Sequence, residues 1–374
     1  MAQSKMARRA QNVVKVAQLG GTRRQLARSS KTRWGYIGAN TGRNLGDDAM
    51  FVALEKLWAE LWPERQLTAI GLPWEERRLG RFGLAGERYF EGALLGGGTL
   101  IGPFWGSQVQ TLLNQNVPLW ALGSGAGSCG FVQGPQLDLK EWGPRLRDFV
   151  RVGVRGPLSY AKLQEIGAPA KIIGDLALLL TKDAPALPSS RPRVGFNLAL
   201  PQAHEVHSDE EGKLREIETA LLQWVRDDWD IVPFAMNAVD IAPTQAALER
   251  VGLKMTVPLY QSADEFFRHI GPCAFVVAVR LHAAILASCV GVPTLMLGYR
   301  DKCLDFMASV GMENWHVDLL DFKRGDILEV ANALSLEAPT LRQPLWEQAR
   351  RWQETLHAFN ADIVATAKSA AKAA

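Results

Sequence analysis

The chain has 374 residues, 47% apolar and 22% charged, the composition of an ordinary globular protein and more than one hydrophobic core usually supports, so two domains are expected. No apolar run is long enough to span a bilayer or to form the centre of a secretory leader. The four cysteines, Cys129, Cys273, Cys289 and Cys303, lack metal-ligand spacing, which points to a reducing cytoplasm and away from a structural zinc.

Residues 1–31 carry eight Lys or Arg and no acid, so the net charge of +3 conceals a remainder of −5. The segment reads as a solvated tail, with attraction to an anionic membrane surface as the functional alternative; a transit peptide has the same composition. An acidic remainder disfavours a nucleic-acid partner. Trp34 to Ile37 opens a strand, a turn runs to Asp47, and Ala49 to Leu61 reads as a helix with Asp47 or Asp48 as its default N-cap. Short strands follow at Gly92–Leu95, Pro118–Leu122, Phe149–Val154 and Lys171–Ile173. The Pro- and Ser-rich run 183–193 is the linker candidate. A second β/α series then begins at Val194, with strands at Asp230–Phe234 and Phe275–Val279 and helices near Leu214–Val225, Thr244–Val251, Ser262–Ile270 and His282–Val290. The expected architecture is α/β, with two doubly wound Rossmann-like domains (32–185 and 194–340) facing a cleft and a helix over 341–374 crossing back.

Residues 274–302 hold the densest functional signal. The apolar run Phe275 to Val279 suits a buried parallel strand, and Arg280 and His282 follow it at a strand-to-helix junction, beside the free N–H groups that attract anions. Lys302, past the next strand, returns to the same crevice. Arg155 occupies a similar junction before Pro157. For Arg155, Arg280 and His282 alike the structural alternative is an ordinary hydrogen-bonding or ion-pairing residue. Gly96 to Gly98, and Gly123 to Gly127 with Ser124, permit close backbone approach to a ligand, but neither has the spacing of a dinucleotide fingerprint. Trp105, beside the first of these loops, is a candidate for stacking on a sugar.

Five segments in order resemble the polysaccharide pyruvyl transferases: NLGDDAM with Asn44, Gly46 and Asp47; LLGGGTL with Gly97 and Gly98; VGVRGPLSYAKL with Arg155; GDLALLL with Asp175; and RLHA followed by Gly-x-Pro, Tyr299 and Lys302. Gly156 stands where that family usually carries an acid, and Leu176 where proline is frequent. The resemblance implies a GT-B-like architecture and transfer of pyruvate from phosphoenolpyruvate, as co-substrate and without a cofactor or metal, to two hydroxyls of a sugar or lipid-linked oligosaccharide in exopolysaccharide or another cell-surface glycan. Such chemistry needs cationic partners for a phosphate and a carboxylate, and a general acid for the methylene carbon. His282 is therefore expected as the acid, Arg280, Arg155 and Lys302 as anion partners, and Asn44 and Asp47 as ligands of a sugar hydroxyl or as base. A nucleotide-sugar-dependent GT-B glycosyltransferase is the competing enzyme, and a polyanion-binding scaffold the non-enzymatic reading.

Overall fold

The computed structural model describes residues 33–39, 44–70, 90–127, 139–199, 210–319 and 325–373. The basic segment, Cys129, His204, His207 and part of the turn before Asn44 lie outside these residues. The first sheet holds β1 (Arg33–Ile37), β2 (Gln66–Ile70), β3 (Gly92–Leu95), β4 (Gly98–Ile101), β5 (Leu119–Ala126), β6 (Arg151–Val154) and β7 (Lys171–Ile172). The second holds β8 (Arg193–Asn197), β9 (Asp230–Pro233), β10 (Phe275–Ala278), β11 (Thr294–Gly298) and β12 (His316–Asp318). In chain order the helices are α1 (Leu45–Leu61), α2 (Gly106–Asn114), α3 (Trp142–Arg147), α4 (Pro157–Glu165), α5 (Glu210–Arg226), α6 (Ile241–Arg250), α7 (Ala263–Ile270), α8 (Leu281–Ser288), α9 (Asp301–Ser309) and α10 (Asp326–Ala373).

Strand order is β2-β1-β3-β5-β6-β7, with β4 also on β5, and β12-β11-β10-β8-β9. Every pairing within these sheets is parallel. Parallel strands need crossover connections, and those connections bury both faces of the sheet. Side-chain alternation divides the first sheet accordingly. Trp34, Tyr36, Leu94, Trp120 and Leu122 face one core, and Ile37, Ala93, Leu95, Leu119 and Ala121 the other. The first of these cores runs unbroken through α1, the 3-10 turn Leu176–Leu180, the second domain and α10. Four tryptophans gather in it: Trp34 lies 5.0, 5.8 and 4.9 Å from Trp58, Trp62 and Trp120. Trp58 Nε1 donates to Asn360 Oδ1 of α10 at 2.8 Å, so the aromatic core and the returning helix are one unit.

Three elements differ from the sequence reading. Helix α1 starts at Leu45 rather than Ala49, and its N-cap is Asn44, whose Oδ1 accepts the Gly46 N–H at 3.1 Å, rather than Asp47 or Asp48. The Gly98–Ile101 stretch, read as loop, continues the path of β3 as β4 along the far end of β5. Helix α10 begins at Asp326, before position 341, and runs through Pro339 and Pro344. Proline removes a helical N–H and crowds the carbonyl four residues back. Here external contacts hold both sides: Arg342, between the two prolines and buried, donates to the carbonyls of Cys273, Ala186 and Gly271 at 2.7, 2.7 and 2.9 Å. Among the described residues no helix is long and apolar enough to cross a membrane.

Candidate active site

The carboxyl ends of parallel strands are where α/β proteins expose free helix N-termini and variable side chains. In this chain they place β1 before α1, β6 before Arg155 and α4, β10 before Arg280 and α8, and β11 before Tyr299, Lys302 and α9. The two domains meet at these ends. The Leu45 N–H at the start of α1 donates to the Met236 carbonyl of the second domain at 3.0 Å. The His282 ring lies against Gly46, where any Cβ would overlap it, so the glycine is what allows α1 and α8 to bring their N-termini together.

His282 is 9% exposed and its buried Nε2 has no hydrogen-bond partner. Burial, and then the positive charges of Lys302, Arg155 and Arg280, push its pKa down to about 3. The imidazole is therefore neutral around pH 7, whereas the sequence-based expectation is of a proton donor near neutrality. Arg280 reaches Asp240 through Nε and Nη2, at 2.9 and 2.5 Å from Oδ1. Asp240 is fully buried, and its Oδ2 accepts the Met236 and Asn237 N–H groups at 3.2 Å each. Burial alone would disfavour the guanidinium charge; Asp240, Tyr299 and Asp47 outweigh it and raise the Arg280 pKa.

Lys302 and Asp47 stand apart from this pairing. Lys302 is half-buried and its ammonium lies 5.8 Å from the centre of the buried Tyr299 ring. Asp47, half-buried in the first turn of α1, has its pKa raised to about 7, first by burial, with Asp48 and Asp175 adding to the rise and Lys302 and Arg280 opposing it. Among the described residues neither side chain takes part in a hydrogen bond or ion pair, and each lies in the other's field from a different domain.

Arg155 is 1% exposed and lies between two buried carboxylates, Asp175 at 3.9 Å and Asp305 at 3.4 Å. Asp305 belongs to α9 yet caps α4: Leu158 N and Ser159 N donate to its Oδ1 at 2.9 and 3.2 Å, and Ser159 Oγ to its Oδ2 at 2.6 Å. A Cβ at Gly156 would overlap this same residue. Asp305 thus supplies an acid next to Arg155 from the other domain. Asp175 caps the turn at Leu176 by accepting the Ala177 N–H at 3.0 Å, and burial raises its pKa while Arg155 lowers it.

The remaining expected residues sit deeper. Ser124 is fully buried and donates to the carbonyls of Leu95 and Gly96 at 3.0 and 2.7 Å, tying β5 to the glycine-rich turn. Gly97 is packed on the Met50 sulfur, and Gly98 takes φ +93. These glycines admit protein side chains to the turn. Trp105 is buried, and the neighbouring Phe104 is 63% exposed. Tyr36 was missed in the sequence: its buried hydroxyl has a raised pKa, through burial first and then Asp47 and Asp175, with the Gly97 N–H opposing. Its only sequence signal was the alternation that makes Trp34 and Tyr36 core. Asp240 and Asp305 were missed because both come from other elements, 40 and 150 positions from the arginines they meet. His316 begins β12. A groove of about 820 Å³ lies elsewhere, between β6–β7 and α10, bridged by the Arg151–Asp362 pair at 2.9 Å; it contains no histidine.

Searches of solved structures return folds of this kind. A putative UDP-N-acetylglucosamine 2-epimerase from Listeria monocytogenes aligns with TM-score 0.57 and 13% identity over 92% of this chain and 98% of its own. The S. aureus MnaA–UDP co-structure aligns with TM-score 0.54 and 10% identity over 86% and 92%. The UDP-GlcNAc 2-epimerase from Neisseria meningitidis bound to UDP-GlcNAc aligns with TM-score 0.52 and 13% identity over 84% and 94%. At such identities the likeness is one of fold: two Rossmann-like domains in the GT-B manner. No curated protein matches the chain in sequence. The model of the polysaccharide pyruvyl transferase family matches residues 44–301, from the cap of α1 to the start of α9, and on that match over more than half its length the chain belongs to this family.

Proposed function

We propose that the protein transfers pyruvate from phosphoenolpyruvate to two hydroxyls of a sugar in a cell-surface glycan, closing a cyclic ketal and releasing phosphate. The observation that carries this reading is the cleft between α1 and α8. Among the described residues it holds a lysine with no anionic partner, an arginine with one, and a buried imidazole nitrogen with none, all at two helix N-termini. Phosphoenolpyruvate offers a phosphate and a carboxylate on one small carbon frame, and its anions supply what these groups lack. In this reading Arg280 and Lys302 bind the two anionic groups, and Arg155, already paired, fixes the floor. Tyr299 holds Lys302 through its ring. Asn44 spends its Oδ1 on the helix cap and presents its amide N–H groups to an acceptor hydroxyl, while Phe104 provides the exposed aromatic face on which a sugar stacks. His282 exchanges a proton with the reacting atoms.

The test is to incubate the purified protein with phosphoenolpyruvate and an oligosaccharide acceptor, following phosphate release and the acceptor's mass. The expected result is release of phosphate together with a mass gain of one pyruvic acid less one water. Transfer from a UDP-sugar under the same conditions, with no consumption of phosphoenolpyruvate, would replace this reading with that of a glycosyltransferase.

A further inference from the structure

Ketal formation moves more protons than one side chain can handle. The methylene carbon gains a proton, and each of two hydroxyls loses one. Resting on the reading above, we propose that Asp47 is the second proton carrier of the site and the donor to the methylene carbon, with His282 taking the proton of the attacking hydroxyl.

Most carboxylates near the two helix N-termini are already engaged. Asp240 is bound to Arg280, Asp305 is paired with Arg155 and bound to the N-terminus of α4, and the fully buried Asp175 accepts the Ala177 N–H through Oδ1 and faces Arg155 at 3.9 Å, though its Oδ2 makes no hydrogen bond among the described residues. Asp48 has an interaction of its own. Asp47 is the carboxylate at the cleft that, among the described residues, makes neither a hydrogen bond nor an ion pair. It is also the residue next to Gly46, on which the His282 ring rests. Lys302 and Arg280 act on Asp47 and His282 alike, which places both at the anion site.

Their surroundings then assign direction. Burial first, and then three cations, Lys302, Arg155 and Arg280, keep the imidazole unprotonated and ready to accept. Facing Asp47 are Asp48 on its own helix, Asp175 before the turn at Leu176, Tyr36 on β1, Lys302 on α9 and Arg280 before α8. Burial and the two carboxylates outweigh the cations and keep Asp47 protonated up to about pH 7. Two titratable groups pushed in opposite directions are the ordinary signature of an acid and a base.

The steps balance. The first hydroxyl gives its proton to His282 Nε2 as its oxygen bonds to the central carbon, and the electron pair of the carbon–carbon double bond takes the Asp47 proton, forming the methyl group. The bond from the central carbon to the phosphate oxygen then breaks, its pair leaving with phosphate, which takes the imidazolium proton. The second hydroxyl oxygen closes the ketal, and its proton returns to the Asp47 carboxylate.

The experiment combines turnover with phosphoenolpyruvate binding by calorimetry in the full-length wild type, Asp47→Asn and Asp47→Glu. The expected result is that Asp47→Asn lowers kcat by roughly a hundredfold or more while its dissociation constant for phosphoenolpyruvate stays within about threefold. The wild-type rate should fall as pH rises through about 7. That limb should vanish in Asp47→Asn and return, shifted, in Asp47→Glu. Asp47→Asn turning over at the parental rate, or keeping the limb, overturns the proposal. Loss of a rate that instead rises with pH makes Asp47 the base and overturns it as well. A wild type that binds no phosphoenolpyruvate defeats the underlying reading instead, so the two failures are separable.

Discussion

Two clusters of charge lie where the two domains meet and are built in opposite ways. Around Arg155 the charges are paired by sign: one guanidinium stands 3.4 and 3.9 Å from two carboxylates, none of the three side chains is more than 2% exposed, and although Arg155 Nε and Asp175 Oδ2 make no hydrogen bond among the described residues, each has its countercharge beside it. Around Lys302, Asp47 and His282 they are left open, with a cation, a carboxylate and an imidazole nitrogen that have no partner within hydrogen-bonding distance among the described residues. A buried ion pair does little for net stability, but removing one partner is costly, because the charge left behind has neither water nor a counterion. An open charge costs stability while the cleft is empty and gives affinity when a complementary ligand arrives. The first cluster joins the domains, and the second is where the proposed chemistry is placed.

The comparison breaks most visibly at Arg155. Arg155→Ala should destabilise the fold by about 3 to 5 kcal/mol, since Asp175 and Asp305 would both lose their countercharge, and thermal melting measures it. An unchanged melting temperature would place Arg155 in the open cluster. Next is Arg280, half in each class because Asp240 holds one edge of its guanidinium. Arg280→Ala should weaken phosphoenolpyruvate binding by roughly 2 to 5 kcal/mol, or about 30- to 4,000-fold, and Arg280→Lys should rescue it only in part because the planar fork is gone. Calorimetric titration separates these outcomes.

A third test reads the open cluster through stability against pH. The folded-state pKa of His282 is depressed from 6.5 to about 3, so its contribution is complete above pH 6.5 and is lost as pH falls toward 3. For Asp47 it is raised from 3.8 to about 7, so the contribution is complete below about pH 4 and is lost as pH rises through 7. His282→Gln should therefore flatten the acid side of a melting profile, and Asp47→Asn should raise the melting temperature at pH 8 relative to wild type and not at pH 4. Parallel profiles for all three proteins would mean the two groups are not held as described. The smallest effect is expected outside both clusters: deleting residues 1–31 should leave turnover of a soluble acceptor within about twofold while weakening salt-sensitive binding to anionic vesicles.

Much of the open cluster could be read in the sequence because its residues follow strands directly. Arg280 and His282 come straight after the apolar run that becomes β10, and Asn44 and Asp47 open the helix after β1. The closed cluster was half legible. Arg155 showed itself at a strand end, but Asp305 is an ordinary acid within a helix until the fold sets it on the N-terminus of α4. Gly156 looked like a missing acid and proved to be the space that Asp305 fills. The glycines at 96–98 read as a ligand loop, because sequence cannot tell a backbone opened for substrate from one opened for Tyr36 and Met50. Proline at 339 and 344 is unfavourable inside a helix, yet Arg342, bound to three carbonyls of the second domain and linker, holds the helix in place there.

The central claim is that the open cluster is a phosphoenolpyruvate site. Calorimetric titration of that compound into the wild type and into Lys302→Ala tests it most directly, since Lys302 is the cation there with no ion pair among the described residues and its removal should leave the melting temperature nearly unchanged. Saturable binding to the wild type is expected, with a loss of at least tenfold in affinity for Lys302→Ala, about 1.4 kcal/mol. Equal affinity in the two proteins, or no heat of binding in the wild type, would contradict it.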